Sequence, residues 1–196
     1  ILLIHGSLSK ALTQESLKAP VLEWFRTVAM EVHTGKARIL LHRGDALNYV
    51  TGASLLALHT AKPKTVMMSS WGYSHANYKQ ETGSRLAGGR KDDGWTYNLY
   101  EVDTVSGEVR LVEMGTPFTD EWVLDANGQA AARGEWMAQQ RKYTIVRRNG
   151  AGWTEIFSRE LDSPPNLHPM TRDGSSVLMS ASLDRAHTSL WRVPVD

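Results

Sequence analysis

The chain contains no cysteine in its 196 residues. That excludes disulfides, thiol catalysis and every metal site built on thiolate, and a cysteine-free chain suits the cytoplasm and the periplasm equally. It has no dominant charge either. With 22 Lys and Arg against 21 Asp and Glu, it carries no electrostatic footprint for nucleic acid or for an anionic membrane, so neither is expected as a partner. No apolar run approaches the roughly 18 residues that a membrane span needs, and the chain reads as soluble. The first apolar run opens at Ile1 with no charged leader and no cleavage site, which reads as a chain that begins within a longer protein. Helical periodicity is scarce: the one candidate covers residues 9–17, and Pro20 limits it. The seven histidines form no i, i+4 pair and no His-Glu-x-x-His run, so no metal ligand is assigned. Nothing in the sequence implies a cofactor.

What the chain does have is apolar content, at 41%, arranged as repeats. "AMEVHTGKARILLHRG" (29–44) and "LYEVDTVSGEVRLVEMG" (99–115) both run strand, tight turn with glycine, alternating strand. "YTIVRRNGAGWTEIFS" (143–158) repeats the shape with Asn149-Gly150 at its turn, and "SLWRVPVD" (189–196) is the first half of another copy. These are outer hairpins; Asp-Thr-x-x-Gly and Asn-Gly between apolar alternations supply the turn chemistry. Between them lie inner hairpins: "SLLALHTAKPKTVMMSS" (54–70), "WVLDANGQAAARGEW" (122–136) and "HPMTRDGSSVLMSAS" (168–182), with "ILLIHGS" at the start as the closing strand of an earlier copy.

Gly128 and Gly174 stand 46 positions apart, and Gly107 and Gly152 stand 45 apart. A period of about 40–50 residues carrying four short strands is that of a β-propeller blade. The expected fold is therefore all-β: blades of four antiparallel strands in a partial propeller of about three to four blades. The pieces fall at about 1–45, 50–115, 120–160 and 165–196, within one domain over 1–196. From Gly35 to Gly107 the interval is 72, and the surplus is assigned to an inserted loop over residues 72–96, rich in glycine and mixed charge. Whether that loop meets substrate stays open.

One motif points elsewhere. Gly72-Tyr73-Ser74-His75-Ala76 approaches the Gly-x-Ser-x-Gly turn that exposes a nucleophile in α/β-hydrolases, and "ILLIHG" is similar to the strand end beside a hydrolase oxyanion hole. Such an elbow must lead into a helix. Here Gly83, Gly88 and Gly89 follow with no helical periodicity, and Ala76 stands where glycine is usual. Ser74 is accordingly read as a residue at the end of a strand, and no catalytic residue is assigned. The seven tryptophans are read as blade packing rather than as a ligand cage.

The succession "NLYEVDTVSGEVRLVEMG", "EWVLDANGQAAARGEW", "KYTIVRRNGAGWTEIF", "LHPMTRDGSSVLMSAS", "SLWRVPVD" resembles the propeller of the prolyl oligopeptidase family, in its acylaminoacyl-peptidase-like branch. The resemblance covers about residues 97–196 well and the first half more loosely. It implies a propeller that precedes an α/β-hydrolase domain with a Ser-Asp-His triad, covers the active site and limits which peptides enter. On that reading this chain is the non-catalytic filter, its partners are a C-terminal hydrolase domain and peptide substrates, and the parent protein is a serine peptidase. The alternative is a Tol-like or scaffold propeller that binds protein partners without catalysis. Family propellers have about seven or eight blades, whereas two complete blades and a partial one at each end are counted here. An open arc leaves unpaired edges, so self-association through them is also expected.

Overall fold

The computed structural model describes residues 1–10, 22–41, 50–58, 60–73, 95–183 and 187–196. Among these residues, fourteen strands make up nearly all of the regular structure. They are β1 (Leu2–Lys10), β2 (Leu22–Met30), β3 (Ala37–Ile39), β4 (Val50–Ala57), β5 (Thr65–Tyr73), β6 (Trp95–Asp103) and β7 (Val109–Glu113), then β8 (Thr119–Leu124), β9 (Ala130–Met137), β10 (Lys142–Asn149), β11 (Gly152–Glu160), β12 (Asn166–Met170), β13 (Ser176–Ala181) and β14 (Ser189–Pro194). Among the described residues there is no α-helix, only one 3-10 turn at Ala138–Gln140.

The strands form four antiparallel meanders, each in chain order: β1-β2-β3, β4-β5-β6-β7, β8-β9-β10-β11 and β12-β13-β14. The chain is thus all-β, with two sheets of four strands flanked by two of three, in the pattern of propeller blades expected from the repeats. "ILLIHG" is blade strand: β1 pairs along its length with β2, and His5 Nδ1 lies 2.9 Å from Thr27 Oγ1 across that pair.

The turns explain why the meanders fold locally. Gly35, Gly107, Gly128, Gly150 and Gly174 all take φ between 58° and 77°, the left-handed region that side chains with a Cβ avoid. At the turn after β8, Asp125 Oδ1 accepts the backbone N–H of both Asn127 and Gln129; Asp103 Oδ1 likewise accepts those of Val105 and Ser106, and Asp173 Oδ1 accepts the backbone N–H of Ser175 and the hydroxyls of Thr171 and Ser175.

Three expectations need correction. The glycine equivalent to Gly107 is Gly150, which carries the positive φ; Gly152 already opens β11, so the true spacing is 43. The inserted loop is shorter than 72–96, because Gly72 pairs with Thr96 and Tyr73 with Trp95, which carries the β5-β6 ladder into both ends of the expected loop. Its remainder, residues 74–94 with Ser74, lies outside the described residues. Of the helix candidate at 9–17, Ser9 and Lys10 belong to β1, and the rest lies outside the described residues.

Neighbouring sheets pack face to face through three apolar layers. Ala29, Leu40 and Leu41 of the first sheet meet Ala53, Val66, Met68, Tyr100 and Val102 of the second. The second sheet presents Met67 and Leu99 to Trp122 of the third. Val123, Ala132, Tyr143 and Ile145 of the third meet Val177, Met179, Ala181 and Val193 of the fourth. A sheet covered on both faces has no solvent side, which is why Val66, Met67 and Met68 stand as consecutive apolar residues in "TVMMSS": Met67 and Met68 are both buried, one in each layer. Each such side chain contributes about 1.5–3 kcal/mol on burial.

Candidate functional site

The first strands of the second, third and fourth sheets, β4, β8 and β12, pack side by side, with β8 in the middle. A cavity of about 360 Å³ opens between them. Ser54, Leu56 and Ala57 of β4 form one wall, Glu121, Trp122 and Leu124 of β8 the second, and Leu167, His168 and Pro169 of β12 the third, with Tyr97 of β6 behind. Trp122 is fixed by donating its indole N–H to the Tyr97 carbonyl at 2.9 Å. The Tyr97 hydroxyl accepts from Ser69 Oγ at 2.7 Å.

Glu121 links two sheets. Its carboxylate on β8 accepts the backbone N–H of Leu167 on β12. Burial pushes the Glu121 carboxyl above the usual carboxylate range, the Leu167 N–H works against that, and the neighbouring Asp120 charge adds to it. Asp120 sits in a β-bulge. Thr119 pairs with Glu135 and Glu121 with Gly134, so Asp120 is the extra residue of β8. Such a bulge breaks the strict alternation of the strand at this point. Burial raises the Asp120 carboxyl as well.

Tyr143 of β10 lies in the apolar layer between the third and fourth sheets. It is fully buried, and its hydroxyl has no hydrogen-bonding partner. Its place depends on Gly134: a Cβ built there would stand 1.9 Å from the Tyr143 hydroxyl and 3.2 Å from Leu167 Cδ1. The phenol therefore crosses the bare backbone of Gly134, the residue paired with Glu121, in the apolar layer against which Leu167 also packs. Burial raises its pKa, and the Glu121 and Asp120 charges raise it further.

His168 and Ser180 stand 2.6 Å apart, Nε2 to Oγ, across β12 and β13. A serine hydrolase needs in addition a carboxylate on the other ring nitrogen and a pair of donors for the oxyanion. Among the described residues no carboxylate bonds His168, and the pair sits within two paired strands rather than at an exposed turn, so it serves as a cross-strand contact. No three His, Cys, Asp or Glu side chains converge to hold a metal ion among the described residues.

Asp120, Glu121 and Tyr143 were not singled out from the sequence. The signal available was two consecutive acids in "TDEWVL", at positions where an inner strand packed on both faces ought to be apolar. Of the tryptophans, Trp122 and Trp153 meet at 5.9 Å, edge to face, and Trp191 donates to the Ala181 carbonyl; both arrangements are packing.

No family model matches the chain, and no curated protein matches it. Among solved structures, the hydrazine synthase of Kuenenia stuttgartiensis superposes with a TM-score of 0.41 at 10% identity, over 89% of this chain and 53% of that one. The chain thus spans about half the length of the structure it matches.

Proposed function

We propose that this chain is the non-catalytic propeller part of a prolyl-oligopeptidase-like serine peptidase, and that it selects the peptides reaching a C-terminal α/β-hydrolase domain. The observation that carries the reading is the cavity between β4, β8 and β12, where three successive blades turn their first strands toward one another. Binding at the shared centre of several rigid elements is how β folds of this class present selective residues without chemistry of their own. The family itself rests on the sequence resemblance over residues 97–196. Apolar walls from Leu56, Leu167 and Trp122 beside the Glu121 carboxylate suit a peptide, which offers side chains and amide groups together.

The test has two arms. The isolated chain is expected to show no esterase or peptidase activity and no labelling by a fluorophosphonate probe. Joined to the sequence encoded after Asp196, it is expected to label on a serine outside this chain, and removing the chain from that protein should admit larger substrates. Labelling of the isolated chain, or the absence of any hydrolase domain after Asp196, overturns the proposal.

A further inference from the structure

We propose that Asn149, followed by Gly150 at the turn of the third outer hairpin, is a site of spontaneous deamidation, and that its conversion loosens the arginine that ties the third sheet to the second. The site shares no residue with the inner cavity and stands whether or not a hydrolase domain follows.

The chemistry is local. The Gly150 backbone nitrogen gives up its proton to solvent and attacks the Asn149 side-chain carbonyl carbon. The Cγ–Nδ2 bond breaks, the departing nitrogen takes up a proton from solvent, and ammonia leaves behind a five-membered imide. Water then adds to either imide carbonyl. One opening gives aspartate; the other gives iso-aspartate, whose backbone runs through the former side chain. A glycine after the asparagine favours the attack, because no Cβ hinders the close approach of its backbone, and asparagine is accordingly a thermolabile residue.

The sequence holds two such pairs, Asn127-Gly128 and Asn149-Gly150, and the fold treats them differently. Gly128 is buried, and its N–H donates to the Asp125 carbonyl at 3.1 Å. The Asn127 N–H is held by Asp125 Oδ1 at 2.9 Å. The attacking nitrogen is thus engaged, and freeing it costs a hydrogen bond. Gly150 has no such tie. Its N–H donates to no group among the described residues, and nothing lies within 4 Å of the point where a Cβ would stand. Asn149, Gly150 and Ala151 are all exposed. The Asn149 amide donates to Thr154 Oγ1 at 3.2 Å, a single exposed bond within the same hairpin.

The consequence runs through Arg148. Its Nε donates to the Gly150 carbonyl at 3.0 Å, its guanidinium covers the Trp153 ring, and its Nη1 reaches Glu113 of the second sheet at 2.8 Å. Iso-aspartate inserts a backbone carbon just before Gly150 and so displaces that carbonyl. The new carboxylate also competes with Glu113 for Arg148.

The test is to hold the folded chain at mildly alkaline pH and map its peptides by mass spectrometry. Asn149 should convert about three- to tenfold faster than Asn127, the range that one net hydrogen bond on the attacking nitrogen sets. In urea the two rates should converge, because the tie on Gly128 is gone. G150A, whose methyl group crowds the attack, should slow conversion at position 149. N149D carries the new charge on an ordinary backbone, so the iso-aspartate fraction should melt below it. Absence of conversion at Asn149, Asn127 keeping pace with it in the folded chain, the same ratio in urea, an unchanged rate in G150A, or equal melting of N149D and the iso-aspartate fraction overturns the proposal.

Discussion

Arg133 lies over the face of Trp153, its guanidinium carbon 4.5 Å from the ring centroid. The same group approaches Trp122 at 5.8 Å and pairs with Glu135 at 2.9 Å, although Arg133 is buried. Arg148 covers the Trp153 ring as well, at 5.1 Å, and reaches across to Glu113 of the second sheet at 2.8 Å. A flat guanidinium can stack and pair at once, which an ammonium cannot.

Replacing Arg133 should therefore be expensive. R133A removes a stacked cation and leaves Glu135 without its partner, so a loss of about 3 kcal/mol is expected in urea unfolding. R133K should recover only part of it. A loss under about 1 kcal/mol for R133A would mean that the stack is incidental to the packing of the second and third sheets.

Gly134 and Tyr143 make a coupled pair. G134A drives a methyl group into the phenol, 1.9 Å from the hydroxyl and 2.7 Å from Cζ, and should cost about 1–3 kcal/mol by overpacking. Y143F removes an unpartnered hydroxyl, so it should leave the unliganded chain as stable or more stable, by up to about 1–3 kcal/mol. The double variant should lose less than the sum of the two, because the shortest contact is gone. Strict additivity in thermal unfolding would show that the phenol does not cross Gly134.

The acids predict a pH dependence of defined sign. Glu121 and Asp120 are raised in the folded chain, so their ionisation opposes folding. That penalty is absent below the ordinary carboxylate range, where folded and unfolded chains are both protonated. It grows as pH rises from there through the raised folded values. E121Q keeps an oxygen for the Leu167 N–H but cannot ionise. Its melting temperature should exceed that of the parent at neutral pH, and the gain should vanish in acid. Tyr143 and Asp120 lie beside the group and His168 lines the same cavity; H168Q in the same series should leave the gain in place. An E121Q gain that grows toward acid pH contradicts this assignment.

The third outer hairpin separates two neighbouring glycines. Gly150 takes φ of 58°, and nothing lies within 4 Å of the point where a methyl group would stand, so G150A meets only backbone strain, about 1–2 kcal/mol. Gly152 has ordinary φ and its nearest obstruction, the Asn149 carbonyl, is at 3.8 Å; G152A should be neutral or slightly stabilising, by up to about 1 kcal/mol. Equal losses in chemical denaturation would place the turn elsewhere.

Much of the architecture was legible in the chain because hairpins are local. Asp125 and Gly128, or Asn149 and Gly150, specify their turns within a few residues, and the strands on either side alternate or run apolar according to how many faces are covered. Gly152 misled the spacing because a glycine that opens a strand and a glycine that makes a turn look alike without φ.

By itself, then, the sequence determined the all-β class, the antiparallel hairpin repeats and the order of inner and outer hairpins. Each depends on hydrogen bonds and apolar periodicity over stretches of about ten to twenty residues. Only the tertiary structure decided that Glu121 would meet Leu167, 46 positions away, that Asp120 would be the bulged residue of β8, and that Tyr143 would end unpartnered over Gly134. Those contacts depend on how one sheet lies on the next and on a single bulged residue. A one-residue change of register sends a side chain to the opposite face, and no local pattern in "TDEWVL" or "KYTIVRRN" records on which side the bulge will place it.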